Sequence, residues 1–289
     1  MERIQTNTHP DLIITSDWHL RDDTPTCRTD NFWETQWEKV LFIKKLQAKY
    51  NCPVIHAGDL THTWKSSPNL LSMAITCLPD KFYTCLGQHD LQNHSLDLIQ
   101  KCGTYTLERA GALTILNGTH WGQEPVEIAH SELPLDILVW HHLTYLQKPY
   151  PDAVGGMAEG ILRKYNQYRL VITGDNHCSF TTEYQGRRLV NPGNLTRQVA
   201  DQADFQPRIA LWFKTTNTIM WVNLPIQKDA ISRDHLEKKE ERDGRIDAFV
   251  SGLNSDWKAK MSFEDNLEEF FQVNETRDSV KQIIYQSLE

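Results

Sequence analysis

Short apolar, β-branched runs recur along the first two thirds of the chain, and each ends in a polar cluster. Asp11 to Thr15 leads into Ser16-Asp17-Trp18-His19, and Pro53 to His56 leads into Ala57-Gly58-Asp59. Lys81 to Leu86 leads into Gly87-Gln88-His89-Asp90, and Leu135 to Trp140 into His141-His142. Arg169 to Thr173 leads into Gly174-Asp175-Asn176-His177. Apolar runs of this length, bounded by turn residues, predict strands. Every one ends in Asp, His or both, and α/β proteins build their sites from side chains at the C-terminal ends of strands.

Helical patterns lie between the early runs. Phe32 to Tyr50 carries Phe32, Val40, Ile43 and Leu46 among Lys, Glu and Gln, and Asn69 to Leu78 follows Pro68. After Gly174 the pattern turns hairpin-like: Phe180 to Tyr184, a Gln185-Gly186 turn, then Leu189-Val190. Arg208 to Lys214 and Thr218 to Leu224 flank Thr215-Thr216-Asn217. The front is therefore βαβ-like and the back antiparallel. Composition shifts near Gln227, which divides a main domain over 1–227 from a charged linker and helical segment over 228–289. Glu237 to Asp243 is a dense charged run, and Ser262-Phe263-Glu264-Asp265 fits a capping box. Behind it Phe263, Leu267, Phe270 and Phe271 share one helical face, and Val280, Ile283, Ile284 and Leu288 share another. Two short helices have little core of their own, so these faces either pack on the main domain or dock on a partner.

Composition narrows the classes. The 289 residues suffice for one large domain with an appendage. With 39% hydrophobic and 24% charged residues the chain reads as globular, and no apolar run approaches the roughly 18 residues of a membrane span. Met1 to Pro10 is polar and lacks the apolar core of a signal peptide, so a cytoplasmic protein is expected. Cys27, Cys52, Cys77, Cys85, Cys102 and Cys178 form no C-x-x-C pair, which argues for reduced thiols rather than a disulfide framework or a thiolate zinc site. A formal net charge of −8 gives no bulk support for nucleic-acid binding. Cations bound by a carboxylate-rich site, or a local arginine patch, can reverse the sign of the field where a substrate sits.

Together the five strand ends carry chemistry. In an extended segment residues i and i+2 point to the same side, so Asp17-x-His19 and Asp175-x-His177 each offer a pair of groups to one ion. The Asp59 carboxylate can bridge two cations, and His141 or His142 supplies a further imidazole. Two divalent cations roughly 3.5–4 Å apart clamp a phosphate and generate hydroxide at neutral pH. Such ions accept this mixture of imidazole and carboxylate.

These blocks resemble the calcineurin-like metallophosphoesterase superfamily, and within it the SbcD-type DNA repair nucleases, particularly small phage-encoded members. Asp17-Trp18-His19, Gly58-Asp59, Gly87-Gln88-His89-Asp90, His141 (or His142) and Gly174-Asp175-Asn176-His177 match the family's Asp-x-His, Gly-Asp, Gly-Asn-His-Asp, His and Gly-His-x-His blocks. Asn191-Pro192-Gly193-Asn194-Leu195-Thr196-Arg197 is similar to the Pro-Gly-Ser loop that follows, and Asn117-Gly118 to Trp121-Gly122 to a middle segment. The resemblance covers about residues 10 to 225. It implies an αββα sandwich, here with a C-terminal helical appendage, and two divalent ions, with Mn2+ expected and Fe2+, Mg2+ or Zn2+ as alternatives.

Two positions depart from the pattern: the family's metal-binding asparagine is Gln88, and the first histidine of the last block is Asp175. The resemblance then implies one ion held by Asp17, His19, Asp59 and His177, and a second, of altered or weaker affinity, held by Asp59, Gln88, His141 and Asp175. His141 ends the strand and is preferred as the ligand, with His142 lining the pocket. His89 is implied as the non-ligand histidine that contacts phosphate or protonates the leaving oxygen, oriented by Asp90. That role suits imidazole, which titrates near neutrality. Among Arg21, Arg28, Arg187, Arg188, Arg197 and Arg208, only Arg197, after the Pro-Gly loop, is assigned a phosphate contact. Trp18 and Trp64 sit beside metal motifs and read as hydrophobic walls.

The resulting expectation is a manganese-dependent nuclease subunit acting on DNA in the cytoplasm, the host's if the chain is phage-encoded. By resemblance it forms a homodimer and engages an SbcC-like coiled-coil ATPase through its C-terminal helices. The alternatives are a stand-alone phosphodiesterase or phosphatase on nucleotides or phosphoproteins, and a non-catalytic module whose second metal site has decayed. The fold alone does not choose among them.

Overall fold

Strands covered on both faces read as continuous apolar runs. Four of the predicted strands are of this kind: β1 (Leu12–Thr15), buried throughout, and likewise the later Val54–His56, Ile137–Trp140 and Leu170–Thr173. The computed structural model describes residues 9–117, 119–125, 134, 136–149, 151–234, 236, 242–247 and 263–287. One sheet runs in the order β12 (Thr218–Asn223), β11 (Arg208–Phe213), β1, β2 (Val54–His56), β3 (Phe82–Thr84), β4 (Thr114–Ile115). The second runs β5 (Ile137–Trp140), β8 (Leu170–Thr173), β10 (Arg187–Asn191), β9 (Phe180–Tyr184). A two-stranded pair, β6 (Thr144–Tyr145) and β7 (Gly156–Met157), stands apart.

Neighbouring residues on one strand enter different cores, because side chains alternate across a sheet. Ile13 joins Val54, Phe82 and Leu211 under α1 (Phe32–Tyr50), α2 (Pro68–Cys77) and α3 (Gly103–Arg109). Ile14 points the other way, into a layer shared with Ile55, Ile137, Val139, Leu170, Ile172 and Trp212, between the two sheets. Leu138, Trp140 and Val171 face α4 (Ala158–Lys164) through Ile161 and Leu162. The order helix, sheet, sheet, helix is the αββα sandwich that the resemblance implies.

Local signals set the helix ends. The Asn31 side chain accepts from Glu34 N at 3.3 Å to start α1, and Asn51 closes it in the left-handed region at φ 50°. Ser67 accepts from Leu70 N at 3.0 Å, with Pro68 in the first turn of α2.

The antiparallel reading of the back half holds for β9 with β10, β11 with β12 and β11 with β1, and fails at one junction. β9 and β10 do form the predicted hairpin, but β10 pairs parallel with β8, and β11 crosses to the other sheet, antiparallel to β1. Local periodicity marks a hairpin but carries no information on which distant edge it joins. The sequence also gave no notice of α3, α4, β4, β6 or β7, each seven residues or fewer.

The chain divides into compact units Met1–Arg233 and Asp234–Glu289. Residues past 227 stay with the first unit: Thr29 N donates to Ala230 O at 3.1 Å, and Ser232 N to Cys27 O at 2.8 Å. The second unit contains α5 (Phe263–Val273) and α6 (Asp278–Gln286). Phe271 is buried and meets Tyr285 edge-on, while Phe263, Val280 and Ile283 are exposed. Leu135, Gly118, Ser262, Leu288 and 237–241 of the charged run lie outside the described residues. Five cysteines are buried, Cys178 is exposed, and all are free. No helix among the described residues is long and apolar enough to cross a membrane.

Ile172 is fully buried between the sheets. Ile172→Ala is expected to cost about 2–5 kcal/mol in denaturant unfolding. Met220→Ala, at a position 46% exposed, should stay within roughly 0.5 kcal/mol. Equal effects would contradict the layer assignment.

Candidate metal centre

The loops after β1 and β2 are fastened to each other. Asp17 N donates to Gly58 O, His19 N to Asp59 O and Leu20 N to Leu60 O, each at 3.0 Å, and His62 N to Leu20 O at 2.9 Å. Within these loops Asp17 (φ 49°), His19 (φ 44°) and Asp59 (φ 58°) are left-handed, as is Asp175 (φ 70°) after β8. The extended geometry expected for Asp17-x-His19 and Asp175-x-His177 is therefore replaced by left-handed kinks. Each such non-glycine residue costs on the order of 1 kcal/mol and persists where its surroundings over-determine it.

Much of that determination comes from Asp90. Its buried carboxylate accepts from the backbone N–H groups of Asp59 (2.9 Å), Leu60 (3.3 Å), Thr61 (3.0 Å) and Gly87 (3.1 Å). It also accepts from the hydroxyls of Thr61 (3.2 Å) and Thr104 (2.9 Å). Asp90 thus ties the β2 loop to the β3 loop rather than orienting His89, which is a correction to the sequence reading. The His89 ring is set by its Nδ1, which donates to His62 O at 2.8 Å. Its backbone N–H donates to Asp59 Oδ1 at 2.9 Å. Two glycines make room: a Cβ on Gly58 (φ 92°) would lie 2.3 Å from His141 Nδ1, and one on Gly87 2.0 Å from Asp59 Oδ1.

The strand-end side chains converge. His19 Nε2 lies 3.9 Å from Asp17 Oδ1 and 3.7 Å from Asp59 Oδ2. His141 Nε2 lies 3.4 Å from Asp59 Oδ2 and 3.9 Å from Asp175 Oδ1. Ligand atoms of Asp17, His19 and His177 fall within 4.8 Å of one another, and so do those of Asp17, Asp59 and His141. His141 Nδ1 donates to Ala57 O at 2.6 Å, so Nε2 is the ring nitrogen that faces the carboxylates. Gln88 Nε2 donates to Asp175 Oδ1 at 2.8 Å, and Asp175 N to Asp17 Oδ1 at 3.1 Å.

Asp17 Oδ2, both ring nitrogens of His19, Asp59 Oδ2, Gln88 Oε1 and His141 Nε2 are buried without a hydrogen-bond partner. Buried polar atoms are normally satisfied, and so many orphans around one point fit divalent cations. The electrostatics agree. Burial pushes the Asp17 carboxyl up to about 8, against the opposing pull of His141. Burial also acts to raise Asp59, but His141 outweighs it and holds Asp59 below the carboxylate range. Burial acts to lower His141, yet the Asp59 carboxylate lifts it to about 10. Burial drives His19 well below the usual imidazole value. Both upward shifts mark a place where positive charge is needed to compensate the buried carboxylates, which cations would supply.

A groove of about 150 Å³ beside these atoms is lined by His19, Arg21, His62, His89, His177, Asn194, Gln198, Val199 and Gln202. His62 was missed by sequence reasoning, although it lies three residues past Asp59 in the same loop. Its ring stacks on His89 with centroids 5.5 Å apart. Arg197, backed from the sequence, is buried, and its guanidinium donates to Ala203 O and Gln227 O. It has no free face for phosphate; Arg21 is the arginine that lines the groove. His142 stacks on Trp140 at 3.9 Å and is not among the groove-lining residues. Trp18 is fully buried under the helices, with Nε1 donating to Thr15 Oγ1 at 2.7 Å, and Trp64 packs on the same core.

Residues 11–211 match the family model described as calcineurin-like phosphoesterase superfamily domain. Among solved structures, an archaeal phosphodiesterase is 15% identical at TM-score 0.43, covering 74% of this chain and 99% of that one. A metallophosphoesterase from Sphaerobacter thermophilus is 11% identical at TM-score 0.37, covering 75% and 89%. A putative 5'-nucleotidase from Staphylococcus aureus is 13% identical at TM-score 0.44, covering 80% of this chain and 58% of that one. No curated protein matches the sequence.

Two outcomes are expected here. Asp90→Ala strips six donors of their acceptor, so it should destabilise the fold by about 3 kcal/mol or more and abolish metal binding, although Asp90 is no ligand. Wild-type stability and metal content would contradict the anchoring role. Asp17, lifted to about 8, and His141, lifted to about 10, hold protons near neutrality that ligation must displace. Divalent-metal affinity should therefore rise from pH 6.5 to 8.5, with net proton release in calorimetry across buffers. An affinity independent of pH, with no release, would refute that coupling.

Proposed function

The chain belongs to the calcineurin-like phosphoesterase superfamily, and we propose that within it the protein is a manganese-dependent DNA nuclease subunit of SbcD type. The observation that supports the two-metal chemistry beneath this reading is the convergence of five strand-end loops, four of which contribute unpartnered buried ligand atoms and the fifth Asp175 and His177. One divalent ion would be held by Asp17, His19, Asp59 and His177, the second by Asp59, Gln88, His141 and Asp175. When bound, such a pair supplies a hydroxide nucleophile at neutral pH and Lewis-acid stabilisation of the phosphoryl oxygens.

The protein's own residues do the rest. Asp59 is held by the His89 N–H on Oδ1, which leaves Oδ2 bare for the ions. His89 keeps its Nδ1 proton on the His62 carbonyl, so Nε2 is the atom that carries a proton to the departing sugar oxygen. Arg21, paired through Nε and Nη2 with the exposed Asp23 carboxylate and through Nη1 with Gln198 Oε1 at 3.3 Å, lines the groove and would have to exchange Asp23 for a neighbouring phosphate. Asn194 and Gln198 add amide groups along the same wall. In this reading the exposed Phe263, Val280 and Ile283 of α5 and α6 serve a coiled-coil ATPase partner of SbcC type, and the nuclease acts as a homodimer.

A second reading, a stand-alone phosphodiesterase or phosphatase on nucleotides or phosphoproteins, is favoured by one observation: the net charge of −8, which repels a polyanion at long range.

End-labelled single- and double-stranded DNA separate the two, alongside bis-p-nitrophenyl phosphate and cyclic nucleotides. The nuclease reading expects manganese-dependent DNA cleavage that Asp59→Ala abolishes. Turnover of the small esters alone would transfer the protein to the second reading. His89→Asn should lower kcat by about 10²–10⁴-fold with metal content unchanged; loss of metal instead would make His89 a ligand.

A further inference from the structure

We propose that Gln88 and Asp175 act as one hydrogen-bonded couple that makes the second metal position oxygen-rich and shifts its preference toward a hard divalent cation, Mg2+ or Mn2+, relative to the position of His19 and His177. The inference rests on the reading that two ions are held here. The two residues that depart from the family's blocks are in contact with each other: Gln88 Nε2 donates to Asp175 Oδ1 at 2.8 Å. The orientation of the amide follows, because the opposite one would set its carbonyl against a carboxylate, acceptor against acceptor. With Nε2 engaged, Oε1 is the remaining polar atom, and it is buried without a partner.

Each residue therefore supports the other as a ligand. Asp175 fixes the amide so that a carbonyl oxygen is offered to the site, and the amide N–H neutralises part of the carboxylate. The backbone N–H of Asp175 is in turn anchored on Asp17 Oδ1 at 3.1 Å. A site in decay would leave two unrelated side chains, whereas here the longer arm of Gln88 reaches the carboxylate.

The donor sets of the two positions then differ in kind. The first offers two imidazoles, from His19 and His177, with the carboxylates of Asp17 and Asp59. The second offers one imidazole, His141, with three oxygen donors from Asp59, Gln88 and Asp175. Oxygen-rich sets with added negative charge suit Mg2+ and Mn2+, whereas nitrogen and sulfur donors draw Zn2+.

The test is equilibrium dialysis of the full chain against mixtures of Mn2+ and Zn2+, with metals counted per chain and free Mn2+ followed by electron paramagnetic resonance. Wild type should hold two ions, with the Mn2+/Zn2+ preference at least about tenfold higher at one position than at the other. Asp175→His should lower that preference by about tenfold or more. Gln88→Asn should weaken Mn2+ at the same position, and the double variant should lose no more than Asp175→His alone, because without the carboxylate Gln88 has nothing to hold. The position containing His19 and His177, filled normally in each variant, reports that the fold is intact. Should Asp175→His fail to fold, Asp175→Asn removes the charge at constant size, and the wild-type competition needs no variant. Two ions bound with equal preference, or losses that multiply as if independent, overturn the couple. Absence of any bound ion overturns the metal reading beneath it as well.

Discussion

Three carboxylates, those of Asp17, Asp59 and Asp175, are drawn into one small volume, and two of them are completely buried. Buried like charges are costly unless compensated by opposite charge and hydrogen bonds. Much of the local architecture supplies that compensation or bears its cost. Burial of Asp17 and the carboxylates around His141 push both groups toward their protonated forms; bound cations would supply the same compensation with greater charge. Four left-handed residues aim the ligands, and the six donors gathered by Asp90 stop the loops from relaxing. The two-sheet core beneath provides a rigid base, since all five loops leave strands packed in it.

The parts of this arrangement that local sequence encodes were readable. Five strands, α1 and α2 announce themselves by unbroken apolar runs or by helical spacing with caps at Asn31 and Ser67. The Asp- and His-bearing strand ends could be found because chemistry follows each strand at once in the chain. What escaped depends on distant pairing. The parallel junction of β10 with β8 and the return of β11 to β1 join segments with no local mark of partnership.

The same division holds within the site. Residue types were legible, but their partners were not. The resemblance made Asp90 the orienter of His89, yet its carboxylate turns back to the β2 loop. Arg197 looked free because it follows a Pro-Gly loop, yet two backbone carbonyls hold it. His62 and Arg21 drew little notice, since a single histidine or arginine in a loop has no period or motif, and both line the groove. Conversely, Gln88 and Asp175 read as two departures at one metal position, and the structure adds that they are in contact.

The central claim is that these loops hold two divalent ions, and anomalous diffraction at the manganese edge from crystals grown with Mn2+ tests it most directly. The account predicts two peaks roughly 3.5–4 Å apart, one against His19 and His177, the other against His141, Gln88 and Asp175, with Asp59 between them. A single peak, or density away from these side chains, would contradict it.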